Sequence, residues 1–164
     1  MIQRAAHKMG YAPEEIVLAV ERTLHDRDTN HKQLGEALKR LATAEAALLL
    51  TSEPKELNGI RVVSKLLTGT HSLLIGLLAT ELAQSEKTIA VLAQTDDGQF
   101  IVAQNPSVGK DMSTLLKNVF AQFPGKGGGP RDYARGKLTD PAQSQAAINA
   151  ALEILSSDAA SQSA

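Results

Sequence analysis

Residues Gly125–Lys137 read GKGGGPRDYARGK, with Pro124 directly ahead of them. Four of the first five positions are glycine, and two prolines, Pro124 and Pro130, bracket them. Neither residue suits a helix interior, where Gly costs about 1 kcal/mol and Pro about 3 relative to Ala. The stretch therefore ends whatever helix precedes it, and Arg131 to Leu138 leaves room for a short strand. It also gathers charge, with Lys126, Arg131, Arg135 and Lys137 set against Asp132. Two readings of it stand. In one, the glycines let the backbone approach a ligand and point successive amides into a concavity that holds an anion. Lys126, Arg131 and Arg135 then add charged donors, and Tyr133 offers a ring for stacking. In the other, the run is a tight chain reversal that lets a helix end lie close to a sheet.

Working outward toward the N-terminus, Asp111 is placed to cap a helix running to Phe123, with Leu115, Leu116, Val119 and Phe120 on its buried face. Before it, Thr88–Gln94 and Phe100–Ala103 alternate as strands around Asp96-Asp97-Gly98. Asp-Gly supplies the positive φ angles of a tight hairpin. Thr70 to Gln84 carries Leu73, Leu74, Leu77, Leu78 and Leu82 at helical spacing. His71, just after Gly69-Thr70, reads as a capping or surface residue. Gly59–Leu67 reads as a further strand. Toward the C-terminus, Asp140-Pro141 opens a last helix to about Leu155, and residues 156–164 read as a disordered tail. The order is strand, helix, strand, strand, helix, glycine loop, short strand, helix. That predicts an α/β domain over 57–155, with one small mixed sheet of about four strands and helices packed on it.

Residues 1–56 read differently. Ile2–Met9 suits a short helix stopped by Gly10. A second helix starts at Pro13, with Glu14 and Glu15 at the positive end of its dipole, and runs to about Leu50. Its apolar positions, Ile16, Val20, Leu24, Leu34, Leu38, Leu41 and Leu48, fall on one face. Unbroken, it would be roughly 57 Å long, too long for a small domain to cover. Part of it is therefore expected to project or to pair with another helix. His25 to His31 is polar all round and either breaks the helix or exposes it. Leu34, Leu38, Leu41 and Leu48 form a short coiled-coil-like seam, with Glu45 in an apolar slot. The seam fits a homodimer or packing onto the same chain. Glu53 to Glu56, around Pro54, reads as a linker.

Composition limits the function. The chain has 164 residues, 43% of them hydrophobic and 21% charged, which excludes a disordered or collagen-like chain. Only 3% are aromatic, so a site that stacks many bases is excluded. There is no cysteine, hence no disulfide, thiol nucleophile or Cys-ligated zinc. Residues 57–137 carry a net charge of +3 while the whole chain carries −1, which favours a local anion site over a broad coating surface. No run approaches 18 apolar residues and MIQRAAHKMG is no signal peptide, so a cytoplasmic protein without a membrane span is expected. His25 and His31 are badly spaced for a metal pair. Val108-Gly109-Lys110-Asp111 lacks the rest of a phosphate loop, and no GxSxG or HExxH is present. No catalytic residue, metal site or cofactor is expected.

The order of elements, with Phe123–Gly136 (FPGKGGGPRDYARG) and an alanine-rich last helix, resembles the DHH-associated (DHHA) domain. The version it looks like is that at the C-terminus of alanyl-tRNA synthetases and in free-standing alanyl-tRNA editing proteins. That family carries a glycine-rich stretch, then Arg-Pro, an acidic or polar residue, and Ala-Gln-Gly. Gly127, Gly128 and Gly129 match the glycines, Asp132 the polar residue and Ala134-Arg135-Gly136 the end. Pro130-Arg131 inverts the Arg-Pro order, and Arg135 and Lys137 replace the usual Gln and Gly. The resemblance covers about Leu57 to Leu155, and the helical arm resembles the coiled-coil segment that precedes this domain in the family.

The resemblance implies an accessory module that binds tRNA, with Gly125, Lys126, Gly127, Gly128, Gly129, Arg131, Tyr133, Arg135 and Lys137 as the nucleic-acid-binding residues. It also implies a possible homodimer through the arm. Editing in the family needs a His/Cys zinc site, which this chain lacks. The chain is therefore expected to be inactive alone, a C-terminal piece of an editing hydrolase or synthetase whose catalytic domain precedes residue 1. The alternatives are the substrate-binding half of a DHH-type phosphoesterase and a dimerisation module.

Overall fold

The computed structural model describes residues 13–52 and 54–161. The expected helix Ile2–Met9, the capping Gly10 and His7 lie outside the described residues. The chain divides into two compact units, residues 1–37 and 38–164. Helix α1 (Pro13–Thr51) runs unbroken from one into the other. The polar stretch His25–His31 does not interrupt it, because it contains neither Pro nor Gly. Its Thr29 hydroxyl donates to the carbonyl of His25 at 2.9 Å, within the same helix. In the first unit Val17, Leu18, Val20, Leu24 and Leu34 are exposed.

In the second unit a six-stranded mixed sheet has the order β1-β2-β3-β4-β6-β5. The strands are β1 (Lys55–Leu57), β2 (Ile60–Leu67), β3 (Thr88–Gln94), β4 (Gln99–Gln104), β5 (Gly125–Gly128) and β6 (Tyr133–Leu138). Only β2 and β3 run parallel, joined over the sheet by α2 (Ser72–Ala83). Helices α3 (Met112–Gln122) and α4 (Ser144–Ser161) follow. The α/β class is as expected, with two more strands than expected.

Both extra strands correct the sequence reading. The linker after Pro54 contains β1, which turns into β2 through Asn58 (φ 50°) and Gly59 (φ 75°). Two successive positive φ angles at Asn-Gly make the tight turn that joins antiparallel strands. The glycine run, expected as a loop, is the edge strand β5. The last helix passes its expected end at Leu155 and continues to Ser161, so the first residues of the expected tail are helical.

The central strand β3 is buried along its whole length, because helices cover both faces. On one face Val63, Ala90, Leu92, Ile101 and Ala103 meet Leu74, Ile75, Leu78 and Leu82 of α2 and Leu38, Ala42 and Ala46 of α1. On the other, Val62, Ile89, Val91, Phe100, Val102, Ala134 and Leu138 meet Leu115, Leu116 and Val119 of α3 and Ile148, Ala151 and Leu155 of α4. Glu45, in the apolar slot of the seam, ion-pairs with Lys65 of β2. The seam thus divides: Leu38 packs on the sheet, while Leu41 and Leu48 stay exposed.

Caps fix the loops. His71 is the N-cap of α2, its Nδ1 accepting from the Leu73 amide at 3.2 Å. Asp111 caps α3 by accepting from Thr114 N at 3.0 Å. Asp140 accepts from Ala142 N at 3.0 Å, at the turn Pro141–Gln143 that leads into α4.

Candidate nucleic-acid interface

Glycine has a low strand propensity, so β5 exists because of what it lies against. Gly125, Lys126, Gly127 and Gly128 pair antiparallel with Leu138, Lys137, Gly136 and Arg135. A Cβ on Gly127 would sit 2.4 Å from the Cα of Gly136 and 2.5 Å from the carbonyl oxygen of Arg135. One on Gly129 would fall 2.2 Å from the carbonyl oxygen of Tyr133, and one on Gly136 2.5 Å from the Phe120 ring. These glycines allow close packing of β5, β6 and α3. Gly128 is different: a Cβ there meets nothing within 4 Å.

The concave nest of amides does not form. Nests need backbone that alternates into the left-handed region. The glycines with positive φ are Gly59, Gly69, Gly98 and Gly109, none of them in the run. In an extended strand the amides alternate in direction instead. The Thr139 amide donates to the Pro124 carbonyl at 2.8 Å, which sets the register of the ladder. By the antiparallel alternation, Lys126 and Gly128 direct their backbone groups at β6, and Gly125 and Gly127 direct theirs away from it. The β4 side agrees: Leu138 N donates to Gly98 O and Gln104 N to Asp132 O.

What converges instead is side chains. Tyr133, Arg135 and Lys137 alternate with Ala134, Gly136 and Leu138 along β6. Ala134 and Leu138 belong to the core under α3 and α4, so the other three face the side of α2. Lys126, directly opposite Lys137, and Gly128, opposite Arg135, share that side. Helix α2 lies over β3 and β4, and α3 lies over β4, β6 and β5 on the far face. Among the described residues of the second unit, neither α2 nor another helix packs extensively on the β6–β5 surface beyond α2, and that surface carries Lys126, Arg135 and Lys137.

Like charges placed directly across two strands repel, at a cost of a few tenths to about 1 kcal/mol. Among the described residues one carboxylate relieves the Lys126–Lys137 pair: Asp97, 3.9 Å from Lys137 Nζ in an exposed contact of small value. Among the described residues Lys126 and Arg135 have no ion-pair partner. Tyr133 is half-buried and packs beside Gly76 of α2, its hydroxyl 3.6 Å from where a Cβ on Gly76 would be. Burial pushes its phenol pKa up, and the Arg135 charge partly opposes that. Its side chain thus packs partly against the α2 side of the core.

Arg131 stands apart from this group. Its guanidinium donates to the carbonyls of Lys110 (3.1 Å from Nε) and Gly109, and its own carbonyl accepts from Met112 N at 2.8 Å. It ties the glycine segment to the start of α3. Asp111 is held below the usual carboxylate range chiefly by the Thr114 amide, with a smaller contribution from Arg131. Asp132 accepts from the buried Gln104 side chain at 2.6 Å. Of the expected site residues, then, Lys126, Gly128, Arg135 and Lys137 share one open surface, Tyr133 borders it, Gly125, Gly127 and Gly129 hold strands together, and Arg131 clamps a loop. Lys117 of α3, which the sequence did not single out, lines a groove on the opposite face with Phe120, Gly125 and Gly127. Only the approach of α3 to β5 brings it there. Among the described residues no cluster of His, Asp and Glu is placed to hold a metal ion, and no helix is long and apolar enough to cross a membrane.

Comparison with known proteins agrees with this architecture. An alanine–tRNA ligase of Methanosarcina acetivorans is 30% identical over 158 residues, covering 92% of this chain and 17% of the ligase. That of Thiobacillus denitrificans is 32% identical over 152 residues, covering 90% and 17%. The chain thus spans about a sixth of the length of the curated relatives it matches. Among solved structures, the C-Ala domain of Aquifex aeolicus alanyl-tRNA synthetase superposes with a TM-score of 0.57 at 19% identity, over 63% of this chain and 98% of that one. RecJ from Thermus thermophilus, in complex with Mg2+, also gives 0.57, at 18% identity, over 79% and 19%. Both likenesses are of fold. Residues 58–157 match the DHHA1 domain, and the chain belongs to that family.

Proposed function

We propose that the chain is an accessory RNA-binding domain, related to the C-terminal part of alanyl-tRNA synthetases, that holds the sugar–phosphate backbone of tRNA on the open β6–β5 surface. The observation that carries this reading is the cross-strand pair Lys126–Lys137 with Arg135 beside it, on the part of the sheet that α2 does not reach. Three cations gathered against their own repulsion are relieved by an anion, and a phosphate chain supplies several at once. Gly128 adds a spot where the backbone can be approached closely. The relation to alanine–tRNA ligases supports tRNA as the preferred RNA and the cytoplasm as the setting. The test is a gel-shift titration with tRNA transcripts. Substituting Lys126 and Arg135 together by Ala should weaken binding by about tenfold or more, on the order of two lost charge-assisted contacts. Arg131→Ala at low temperature should weaken it far less. Equal effects of the two variants would contradict the assignment.

A second reading concerns the helical arm. Leu41 and Leu48 are 50% and 66% exposed, one heptad apart, with the exposed Ala44 between them. We propose that this stripe pairs with another copy of the chain. Light scattering should give a dimer that Leu41→Glu with Leu48→Glu dissociates; a monomer at all concentrations would refute it.

A further inference from the structure

We propose that the outer edge of β5, together with the groove between β5 and α3, takes an extended peptide as an added strand. The peptide class is one with alternating apolar and acidic side chains. Strand β5 ends the sheet, so among the described residues its far side has no partner strand. The register set by Thr139 N and Pro124 O leaves Gly125 and Gly127 each with an N–H and a C=O directed outward. An edge that offers donors and acceptors in alternation complements a polypeptide backbone. A phosphate, which only accepts, has no use for the carbonyls.

The flanking groove matches that occupant. It has a volume of about 470 Å³ and is lined by Leu116, Lys117, Phe120 and Ala121 of α3 and by Gly125, Lys126 and Gly127 of β5. Gly125 and Gly127 place no side chain of their own beside the added strand, and large side chains pack well across from edge glycines. The peptide residues beside Gly125 and Gly127 therefore point into the groove and are apolar, resting against Phe120 and Ala121. The residue between them lies on the other face, beside Lys126, and is acidic. Lys117, on the groove face, adds a second positive charge for an acidic residue at the next groove-facing position. The glycines that narrow the β5–β6 spacing thus also leave the two outward-bonding positions of the edge without side chains.

The test pans random octapeptides displayed on phage against the full chain, with an Ala121→Trp chain panned in parallel. Recovered peptides are then titrated into isotope-labelled protein. Alternating apolar and acidic sequences are expected, with the largest amide shifts at Gly125 and Gly127. Ala121→Trp fills the groove and should weaken the peptide by about tenfold, the size of a lost hot-spot contact. A circular dichroism spectrum and off-site amide shifts that match the parent show that this variant is folded. Binding of tRNA by Ala121→Trp should match the parent, since Ala121 lies on α3, on the opposite face of the sheet from Lys126, Arg135 and Lys137. No enrichment over the Trp variant, or shifts away from Gly125 and Gly127, would overturn the proposal. So would a tRNA titration that shifts Gly125 and Gly127 more than Arg135 and Lys137, because the edge would then be a nucleic-acid surface.

Discussion

At the scale of single residues, the glycines of one run do two different jobs. Gly127 is locked by neighbouring backbone, with atoms of Gly136 and Arg135 at 2.4 and 2.5 Å from a would-be Cβ. Those atoms cannot swing aside as a flexible side chain would. Gly127→Ala should therefore destabilise the fold by about 1–3 kcal/mol, the range for forced overpacking. Gly128→Ala meets no atom and should leave the thermal midpoint near the parent's. Thermal denaturation of the two variants side by side checks this, and a larger loss at Gly128 would show that the strand register is misassigned. Asp96 makes a second residue-level case. Its carboxylate accepts from Gln94 Nε2 at 3.2 Å and from Gly69 N at 2.7 Å, and these bonds hold its pKa below the ordinary 3.8. A folded-state pKa below the unfolded one gives stability that is full above about 3.8 and is lost as pH falls through the folded value. Acid unfolding of the parent should steepen below that pH, and Asp96→Asn should flatten this part of the curve. An unchanged acid limb in the variant would remove Asp96 from the account.

At the scale of elements, β5 and β6 carry a conflict that the proposed binding would relieve. Lys126 opposes Lys137 on the open surface. Replacing Lys126 by Glu turns a repulsive cross-strand pair into an attractive one. The variant should be more stable than the parent by a few tenths to about 1 kcal/mol, while binding tRNA more weakly. Urea denaturation and a gel shift on the same preparation check both halves. A variant that loses stability would mean that the two lysines do not face each other. The sheet explains how much was legible in the sequence. β3, β4 and the Asp96-Asp97-Gly98 turn were readable because apolar runs ended at a residue whose φ of 73° suits glycine. The leucines of α2 and α3 were readable from helical spacing. β1 was missed although Asn58-Gly59 signals a hairpin, because Pro54 and three neighbouring charged residues read as a linker. β5 could not be read at all: nothing local in Gly-Lys-Gly-Gly favours a strand, and only pairing with β6 makes it one. The gathering of Lys126, Arg135 and Lys137 on one surface followed from that pairing, and the anion nest expected from the glycines is one that extended backbone cannot build.

At the scale of the whole molecule, the arrangement of helices on the sheet decides where a ligand can go. α3 and α4 cover one face, while α2 stops over β3 and β4 on the other. The surface left over is small and basic, and its one aromatic ring, on Tyr133, packs beside Gly76. Such a surface contacts phosphates and has little with which to read bases. Binding should then depend on salt more than on RNA sequence. The most direct measurement is the slope of log Kd against log salt concentration for tRNA, in the parent and in a chain with Lys126, Arg135 and Lys137 all changed to Ala. Three phosphate contacts correspond to a slope change of about 2 to 3. The account expects the slope of the triple variant to be shallower by that amount, with weaker binding at low salt. A variant with the parent's slope and affinity would place the interface elsewhere on the molecule.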